Sequence, residues 1–294
     1  MTTLEERLMG WTAPSSGTEQ EKQERAERMV REAIRNHPGF RDCDLKVYAK
    51  GSYKNNTNVR ADSDVDIAVQ CGDLFYWEGS GAAGPSPRSP YQGEWSPPRL
   101  RTELEAALTS SFPGDVDTSG SLAIRVGHNS SRVDTDVVPC FDYRYFFAGG
   151  GHRDGSKVFR KDGSSIINYP EQQYAKGVEK NNRTNGYFKR TVRILKRVEN
   201  LLVSQGDIDA LPSYFMECLA YNVPDSVLMR PSWVKTIEGV LYHIWLSLDG
   251  EEPVSDRWVE PNEVKYLFHP TQPWTREEGR RLAGAAWTYL GLGT

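Results

Sequence analysis

Residues 50–67 read KGSYKNNTNVRADSDVDI, and this stretch decides the fold. Asp64 and Asp66 are two residues apart at the start of an apolar strand predicted over 65–70, so their carboxylates project from the same face. Two like charges this close repel each other, and a bound divalent cation that prefers oxygen ligands, such as Mg²⁺, removes that penalty. A D-x-D pair is also common by chance, and its alternative interpretation is two solvated acids at a strand edge.

Gly51 and Ser52, upstream of the acidic pair, favour the functional interpretation. A glycine has no Cβ, so its backbone can approach a ligand closely. The hydroxyl and the backbone N–H of Ser52 can then donate hydrogen bonds to phosphate oxygens. A plain turn between a strand and a helix is the simpler alternative, but it leaves the link to the acids unexplained. The stretch therefore predicts a phosphate-binding turn beside a metal site.

A site for two metal ions needs a third carboxylate, and the strand predicted over 132–138 offers two candidates. The sequence VDTDVVP at 133–139 places Asp134 and Asp136 two residues apart, and therefore on one face of the strand. Periodicity does not separate them, so both stay candidates for the third acid.

Strand patterns are concentrated in the first half of the chain and helical patterns in the second. Strands are predicted over 45–48, 65–70, 122–126 and 132–138. Helices are predicted over 19–36, 99–110, 186–204, 213–221, 234–248 and 275–290, the last with a capping box from Thr275 to Glu278. This order predicts an α+β protein in which a sheet lobe packs against a helical lobe, with the active site in the cleft between them. The predicted domains are a catalytic lobe over 1–160, which includes the long helix 19–36, and a helical lobe over 161–294.

Composition limits the remaining possibilities. The chain has 38% hydrophobic and 26% charged residues, no signal-peptide pattern and no apolar run near the ~20 residues of a membrane span, so we expect a cytoplasmic globular protein. The net charge of -4 argues against a protein that coats nucleic acid. Cys43, Cys71, Cys140 and Cys218 have no metal-binding spacing, which predicts buried reduced thiols and neither disulfides nor a zinc site. The Gly-, Ser- and Pro-rich segment 72–98 predicts a mobile surface loop; a lid or a partner contact is a further alternative, although most such loops are simply mobile.

The arrangement G-S-x(11)-D-x-D, followed by D-V-V-P, resembles the polymerase-β-like nucleotidyltransferase superfamily. Within it, the chain resembles the bacterial cGAS/DncV-like nucleotidyltransferases (CD-NTases), cyclic-oligonucleotide synthases related to animal cyclic GMP-AMP synthase and oligoadenylate synthase. Other stretches that carry the resemblance are KGSY at 50–53, RILK at 193–196, PSYFME at 212–217 and the tail from Asn262 to Tyr289. The resemblance covers nearly the whole chain.

The resemblance implies which acids bind metal. The third acid of this family is embedded as in DVVPCF at 136–141, so Asp136 would complete the set with Asp64 and Asp66. These three would hold one Mg²⁺ ion, and Asp64 and Asp66 would hold a second together with the triphosphate. Mn²⁺ is the alternative metal.

The resemblance also implies the nucleotide contacts. Gly51 and Ser52 would bind the nucleotide phosphates, and Lys196 would neutralise the triphosphate of the donor. Ser213 would bond a phosphate oxygen and Tyr214 would stack on the base. Cations beside a triphosphate and an aromatic platform under a base are chemically reasonable. The alternatives are a solvated lysine on its helix and core packing of the tyrosine.

The implied activity is metal-assisted phosphoryl transfer that joins ribonucleoside triphosphates into a cyclic di- or trinucleotide. The product would be a second messenger in bacterial anti-phage signalling and would reach a separate effector by diffusion. A long double-stranded DNA activator is not expected, since the chain is acidic and has no Cys/His zinc ribbon. A membrane partner is not expected either, because no apolar run approaches the length of a membrane span. Two alternatives stay open: a template-independent transferase that adds nucleotides to RNA, a protein or a small molecule, and a catalytically inactive nucleotide sensor.

Overall fold

The computed structural model describes residues 2–59, 64–81, 83–84 and 91–293. Over these residues the helices are α1 (Leu4–Trp11), α2 (Gly17–Asn36), α3 (Gly51–Lys54), α4 (Pro97–Ser111), α5 (Pro170–Arg183), α6 (Tyr187–Gln205), α7 (Ser213–Asn222), α8 (Asp225–Leu228), α9 (Trp233–Ser247) and α10 (Arg276–Leu290). The strands of its sheet are β1 (Leu45–Lys50), β2 (Val65–Gly79), β3 (Val116–Asp117), β4 (Ile124–Val126), β5 (Thr135–Phe146), β6 (His152–Phe159) and β7 (Ser165–Asn168). The chain divides into a sheet unit (Ser16–Lys54 and Arg60–Pro170) and a helical unit (Met1–Ser15, Asn55–Val59 and Glu171–Thr294).

Helix α2 begins at a signal that is visible in the sequence. The side chain of Ser16 accepts a hydrogen bond from the backbone N–H of Glu19, and the side chain of Glu19 accepts one from the N–H of Ser16. This capping box satisfies two backbone donors that the helix itself leaves unpaired. The buried residues recur at helical spacing: Ala26, Val30, Ala33 and Ile34. The helix predicted over 19–36 is confirmed.

Strands β2 and β5 form the centre of the sheet. They pair in parallel, and the other strand pairs in the described residues are antiparallel. The first residues of β5 pair with β4, and its later residues pair with β6. Side chains from both strands are packed in the core with those of α2 and α4. Strands that are buried on both faces read as continuous apolar runs, which explains the composition of 67–69 and 137–141.

The prediction of a loop over 72–98 is wrong for its first part, because strand β2 continues to Gly79. The pairing of β2 with β5 shifts register between Cys71 and Phe75, and this irregularity interrupts the two-residue alternation that marks a strand in a sequence. After the shift, Tyr76 packs edge-on against Phe141 of β5, with ring centroids 5.6 Å apart. Residues 82 and 85–90 of the predicted loop lie outside the described residues.

The helical unit has its own apolar core, and α6 runs through it. The predicted apolar stripe of α6 is buried: Phe188, Val192, Leu195, Val198 and Leu202. The predicted capping box of α10 is present, with reciprocal hydrogen bonds between Thr275 and Glu278. Helix α5 was not expected from its sequence, since it buries few of its residues and therefore shows a weak apolar pattern. In the described part of the chain, no helix combines the length and apolar character needed to cross a membrane.

The compact units differ from the predicted division at residue 160. Helix α1 belongs to the helical unit, where Leu8 is fully buried in the core. The segment Asn55–Val59 belongs to it as well. Arg193 on α6 donates hydrogen bonds to the backbone carbonyls of Thr12 and Asn56, each at 2.6 Å. Sequence order predicts a single boundary, whereas long-range packing assigns two early pieces of the chain to the later unit.

Replacing Leu282 by alanine is expected to lower the free energy of unfolding by about 2–5 kcal/mol, because it leaves a cavity in the helical core. Leu282 on α10 is 2% exposed, whereas Leu246 on α9 is 52% exposed. The matched variant Leu246→Ala removes the same atoms from the surface and should change this free energy by about 0.5 kcal/mol or less. Urea unfolding followed by circular dichroism measures both variants, and equal losses would contradict this placement of the core.

Candidate active site

The predicted acids lie at the N-terminal ends of the two parallel strands. Asp66 is the second residue of β2, Asp136 is the second residue of β5, and the two are direct partners in the strand register. Asp64 comes immediately before β2 and is exposed, whereas Asp66 and Asp136 are partly buried. Partners in adjacent strands direct their side chains to the same face of the sheet, so the pairing holds two carboxylates side by side.

The electrostatic environment of Asp136 shows that the three acids act on one another. Burial raises the pKa of Asp136, and the negative charges of Asp64 and Asp66 raise it further. Arg125 and Lys50 partly oppose this shift with their positive charges. Three carboxylates held together therefore disfavour their fully ionised state, and a bound cation would offset that penalty.

Asp134, the other candidate for the third acid, has different partners. Its Oδ2 accepts a hydrogen bond from Arg125 Nη2 at 2.7 Å, and its Oδ1 accepts one from the backbone N–H of His128 at 2.7 Å. Although burial opposes the change, hydrogen bonds from Arg125 and His128 lower the pKa of Asp134. The two acids that the sequence pattern could not separate therefore have different surroundings: Asp134 is engaged by Arg125 and His128, and Asp136 faces Asp66.

The backbone of Gly51 lies directly against the side chain of Asp66. It is the first residue of α3, and its φ of 67° lies in the left-handed region that other residues rarely adopt. A Cβ at this position would overlap Asp66 Oδ2. Ser52 follows in the same short helix and is partly buried. The predicted turn therefore lies directly against one of the acids, and only glycine leaves the carboxylate its space.

The predicted nucleotide contacts of the helical unit lie on two helices. Lys196 on α6 is 3% exposed, and its Nζ lies 3.5 Å from Thr57 Oγ1. Ser213 is the exposed first residue of α7. Tyr214 is partly buried, and its hydroxyl donates to Glu260 Oε2 at 3.2 Å. Lys196 is thus not a solvated surface lysine, and Tyr214 has a fixed orientation.

Glu217 on α7 is a residue whose role the sequence analysis missed. It is 3% exposed and accepts hydrogen bonds from Asn55 Nδ2 at 3.2 Å, from Thr57 Oγ1 at 3.2 Å and from Gln173 Nε2 at 3.1 Å. A buried carboxylate is costly unless it is hydrogen-bonded, so these donors are required. The network holds the segment Asn55–Val59, which follows the Gly51 turn in the sequence. A single acid within the apolar run 215–221 is the sequence signal that could have indicated it.

Solved structures share this fold. The CdnE cyclic dinucleotide synthase of Elizabethkingia meningoseptica, solved with GTP and Apcpp, matches with a TM-score of 0.83 at 32% identity, over 98% of this chain and 98% of that chain. The CdnE c-UMP-AMP synthase of Rhodothermus marinus, solved with Apcpp and Upnpp, matches with a TM-score of 0.82 at 28% identity, over 99% and 97%. The fold is that of a polymerase-β-like nucleotidyltransferase, which confirms the predicted α+β class.

Sequence comparison identifies the family. A family described as the cGAS/DncV-like nucleotidyltransferase C-terminal helical domain matches residues 175–291. The cyclic dipyrimidine nucleotide synthase CdnE of Legionella pneumophila is 36% identical over 292 residues, which cover 97% of this chain and 97% of that protein. The chain belongs to the cGAS/DncV-like nucleotidyltransferase family, and it is an enzyme of the cyclic oligonucleotide synthase class. The predicted family and enzyme class are thereby confirmed.

Replacing Gly51 by alanine is expected to lower the rate of nucleotide transfer by about 100-fold, because the added Cβ displaces the carboxylate of Asp66. Gly114 offers a matched control: its φ is also positive, at 83°, but an added Cβ would meet no atom within 4 Å. Both variants carry the same backbone strain of about 1–2 kcal/mol. Pyrophosphate release from ribonucleoside triphosphates measures the rate, and equal rates for the two variants would show that Gly51 has no special role.

Proposed function

We propose that this enzyme joins ribonucleoside triphosphates into a cyclic di- or trinucleotide. The observation that carries the proposal is the direct pairing of Asp66 with Asp136, with Asp64 immediately before β2. Phosphoryl transfer requires little covalent chemistry from the protein and is accelerated mainly by positioning and by stabilisation of charge. Carboxylates on adjacent strands, beside the Gly51 turn, provide rigidly held groups for positioning the substrate and for stabilising charge.

The acids fit divalent cations, and we assign Asp64, Asp66 and Asp136 as ligands of two Mg²⁺ ions, with Mn²⁺ as the alternative. The donor set consists of carboxylate oxygens, which these hard ions prefer to nitrogen or sulfur. When bound, such ions supply activation of a ribose hydroxyl and stabilisation of the charge on the leaving pyrophosphate. The chain itself prepares the site, since Gly51 leaves space beside Asp66 and the strand register holds Asp136 next to it.

The substrates are ribonucleoside triphosphates, and the nucleotides with which the related structures were solved support this class. We assign Gly51 and Ser52 to the phosphates, because the turn leaves the backbone unshielded by a side chain. Lys196 is assigned to the triphosphate, since a nearly buried ammonium gains most from an anionic partner. Ser213 and Tyr214 are assigned to a phosphate oxygen and to the base, and both assignments stay predictions.

In the cell, the proposed product acts as a second messenger in bacterial anti-phage signalling. A small cyclic product would diffuse from the enzyme and activate a separate effector. The proposal places the enzyme in the cytoplasm, where triphosphates are made, and requires no long double-stranded DNA. The net charge of -4 supports this last point, because a DNA-activated enzyme needs a strongly basic surface.

The activity is tested by incubating the purified protein with all four ribonucleoside triphosphates and Mg²⁺, followed by phosphatase treatment and mass spectrometry. We expect a phosphatase-resistant product with the mass of a cyclic di- or trinucleotide. The double variant Asp64→Asn/Asp66→Asn should make none, because it lacks two of the three metal-binding charges. Products that are linear or phosphatase-sensitive would instead favour the transferase alternative. Triphosphate binding with no product in any condition would favour the inactive sensor.

The choice of Asp136 over Asp134 is tested with one conservative substitution at each position. Asp136→Asn should lower the rate of product formation by about 100-fold or more, because several kcal/mol of charge stabilisation are lost with a metal ligand. Asp134→Asn should keep the rate within about tenfold, since Asp134 contacts Arg125 and His128 and has no assigned part in metal binding. Initial rates at saturating Mg²⁺ measure both variants. The reverse order of rates would make Asp134 the third acid.

A further inference from the structure

Two thiols and a carboxylate meet where β1 begins and β2 bulges. Cys43 Sγ lies 3.7 Å from Cys71 Sγ, and Cys71 Sγ lies 3.9 Å from Asp73 Oδ2. One ligand atom from each of the three residues lies within 4.8 Å of the other two. Cys71 is buried, Cys43 is half-buried and Asp73 is exposed, so the group reaches from the core to the surface.

We propose that Cys43, Cys71 and Asp73 bind a zinc ion that fastens the start of β1 to the bulge of β2. Thiolates bind Zn²⁺ at about 2.3 Å, so two thiolates on a tetrahedral ion lie about 3.8 Å apart. The Sγ atoms of Cys43 and Cys71 already have this separation. A carboxylate oxygen on the same ion would lie about 3.5 Å from each sulfur. Asp73 Oδ2 lies 3.9 Å from Cys71 Sγ, and one Asp73 oxygen lies within 4.8 Å of both sulfurs, so a small side-chain adjustment would complete three ligands, with water in the fourth place.

The backbone around the group is arranged to hold the ligands in place. Leu45 pairs with Cys71 in the register of β1 and β2, which sets Cys43 beside the end of this pairing. The backbone N–H of Gly72 donates to Asp44 O at 2.8 Å, and the backbone N–H of Asp44 donates to Asp73 Oδ2 at 3.0 Å. A ligand carboxylate whose orientation is fixed by a second hydrogen bond is typical of metal sites. Both segments are therefore held together before any ion binds.

The site is distinct from the acids that we assign to Mg²⁺. Leu45 and Cys71 are partners at one end of the β1–β2 pair, and Lys50 and Asp66 are partners at the other. Five residue steps along the strand separate these ends, which corresponds to about 17 Å. The ligand chemistry differs as well, because thiolates select zinc and carboxylates alone select Mg²⁺. An ion here would stabilise the sheet unit and would not take part in phosphoryl transfer.

The group is also accessible. Cys43 lines a cavity of about 460 Å³ together with residues of α2 and of the segment that follows it. The walls include Arg35 and Arg41, whose positive charges would offset the excess negative charge of two thiolates and a carboxylate around a divalent ion. The site thus combines a suitable donor set with a route for the ion to enter.

The test is zinc binding by the reduced protein, after treatment with a chelator and reloading in the presence of excess Mg²⁺. We expect about one equivalent of zinc to remain after gel filtration in the wild-type protein. Cys43→Ala and Cys71→Ala should retain almost none. Cys140→Ala is the matched control, because Cys140 is a buried cysteine of the same unit outside the group, and it should keep the full equivalent. Circular dichroism verifies that each variant is folded.

A substitution at the exposed Asp73 tests the site without disturbing the core. Asp73→Asn keeps an oxygen for the N–H of Asp44 but removes the charge, and it should weaken zinc binding by about tenfold or more. Replacement of zinc by Co²⁺ should produce sulfur-to-cobalt charge-transfer absorption, which carboxylate ligands do not give. This signal distinguishes the site from the acids at Asp66 and Asp136, so it does not depend on the proposed activity. Zinc-free reduced wild-type protein, or unchanged binding in Cys43→Ala, would overturn the proposal. Only two titratable thiols in the denatured, unreduced protein would instead indicate a Cys43–Cys71 disulfide and would also overturn it.

Discussion

The parallel pairing of β2 and β5 is the constraint on which the candidate site depends. It places Asp66 directly beside Asp136 and brings Asp64 near both. Repulsion among the three carboxylates acts against this arrangement, and the buried apolar side chains that follow in both strands act for it. The fold therefore stabilises a concentration of negative charge that an isolated peptide would avoid. A site of this kind is suited to cations, because a bound cation attracts all three carboxylates and relieves their mutual repulsion.

The turn at Gly51 and the segment after it are held by different parts of the molecule. Gly51 lies against Asp66 within the sheet unit. Asn55 and Thr57 are hydrogen-bonded to the buried carboxylate of Glu217 in the helical unit. A short stretch of sequence thus connects the acids to a buried polar network. Breaking such a network leaves polar groups unsatisfied, so its members are fixed in position rather than merely packed.

Local patterns predicted the helices that have a clear cap or apolar stripe, because both signals come from residues close in sequence, whereas α1 and α5 were not predicted. The capping boxes of α2 and α10 and the apolar stripe of α6 are visible within one or two turns. The same reasoning failed at β2, where the bulge after Cys71 interrupts the alternation and led to the prediction of a loop. It also could not assign α1 or Asn55–Val59 to the helical unit. Those assignments depend on contacts between residues more than a hundred positions apart, such as Arg193 with Asn56.

The sequence by itself determined the fold class through the order of its strand and helix patterns, and the family through the resemblance of its motifs. It also supplied the candidate acids Asp64 and Asp66, whose two-residue spacing has a chemical reason. The resemblance favoured Asp136 over Asp134, and tertiary structure added their different surroundings, by pairing Asp136 with Asp66 and Asp134 with Arg125. It also brought Cys43 to within 3.7 Å of Cys71, although no spacing in the chain indicated a shared site. The reason is the same in both cases. Strand pairing joins residues that are distant in sequence, and register decides which side chains meet.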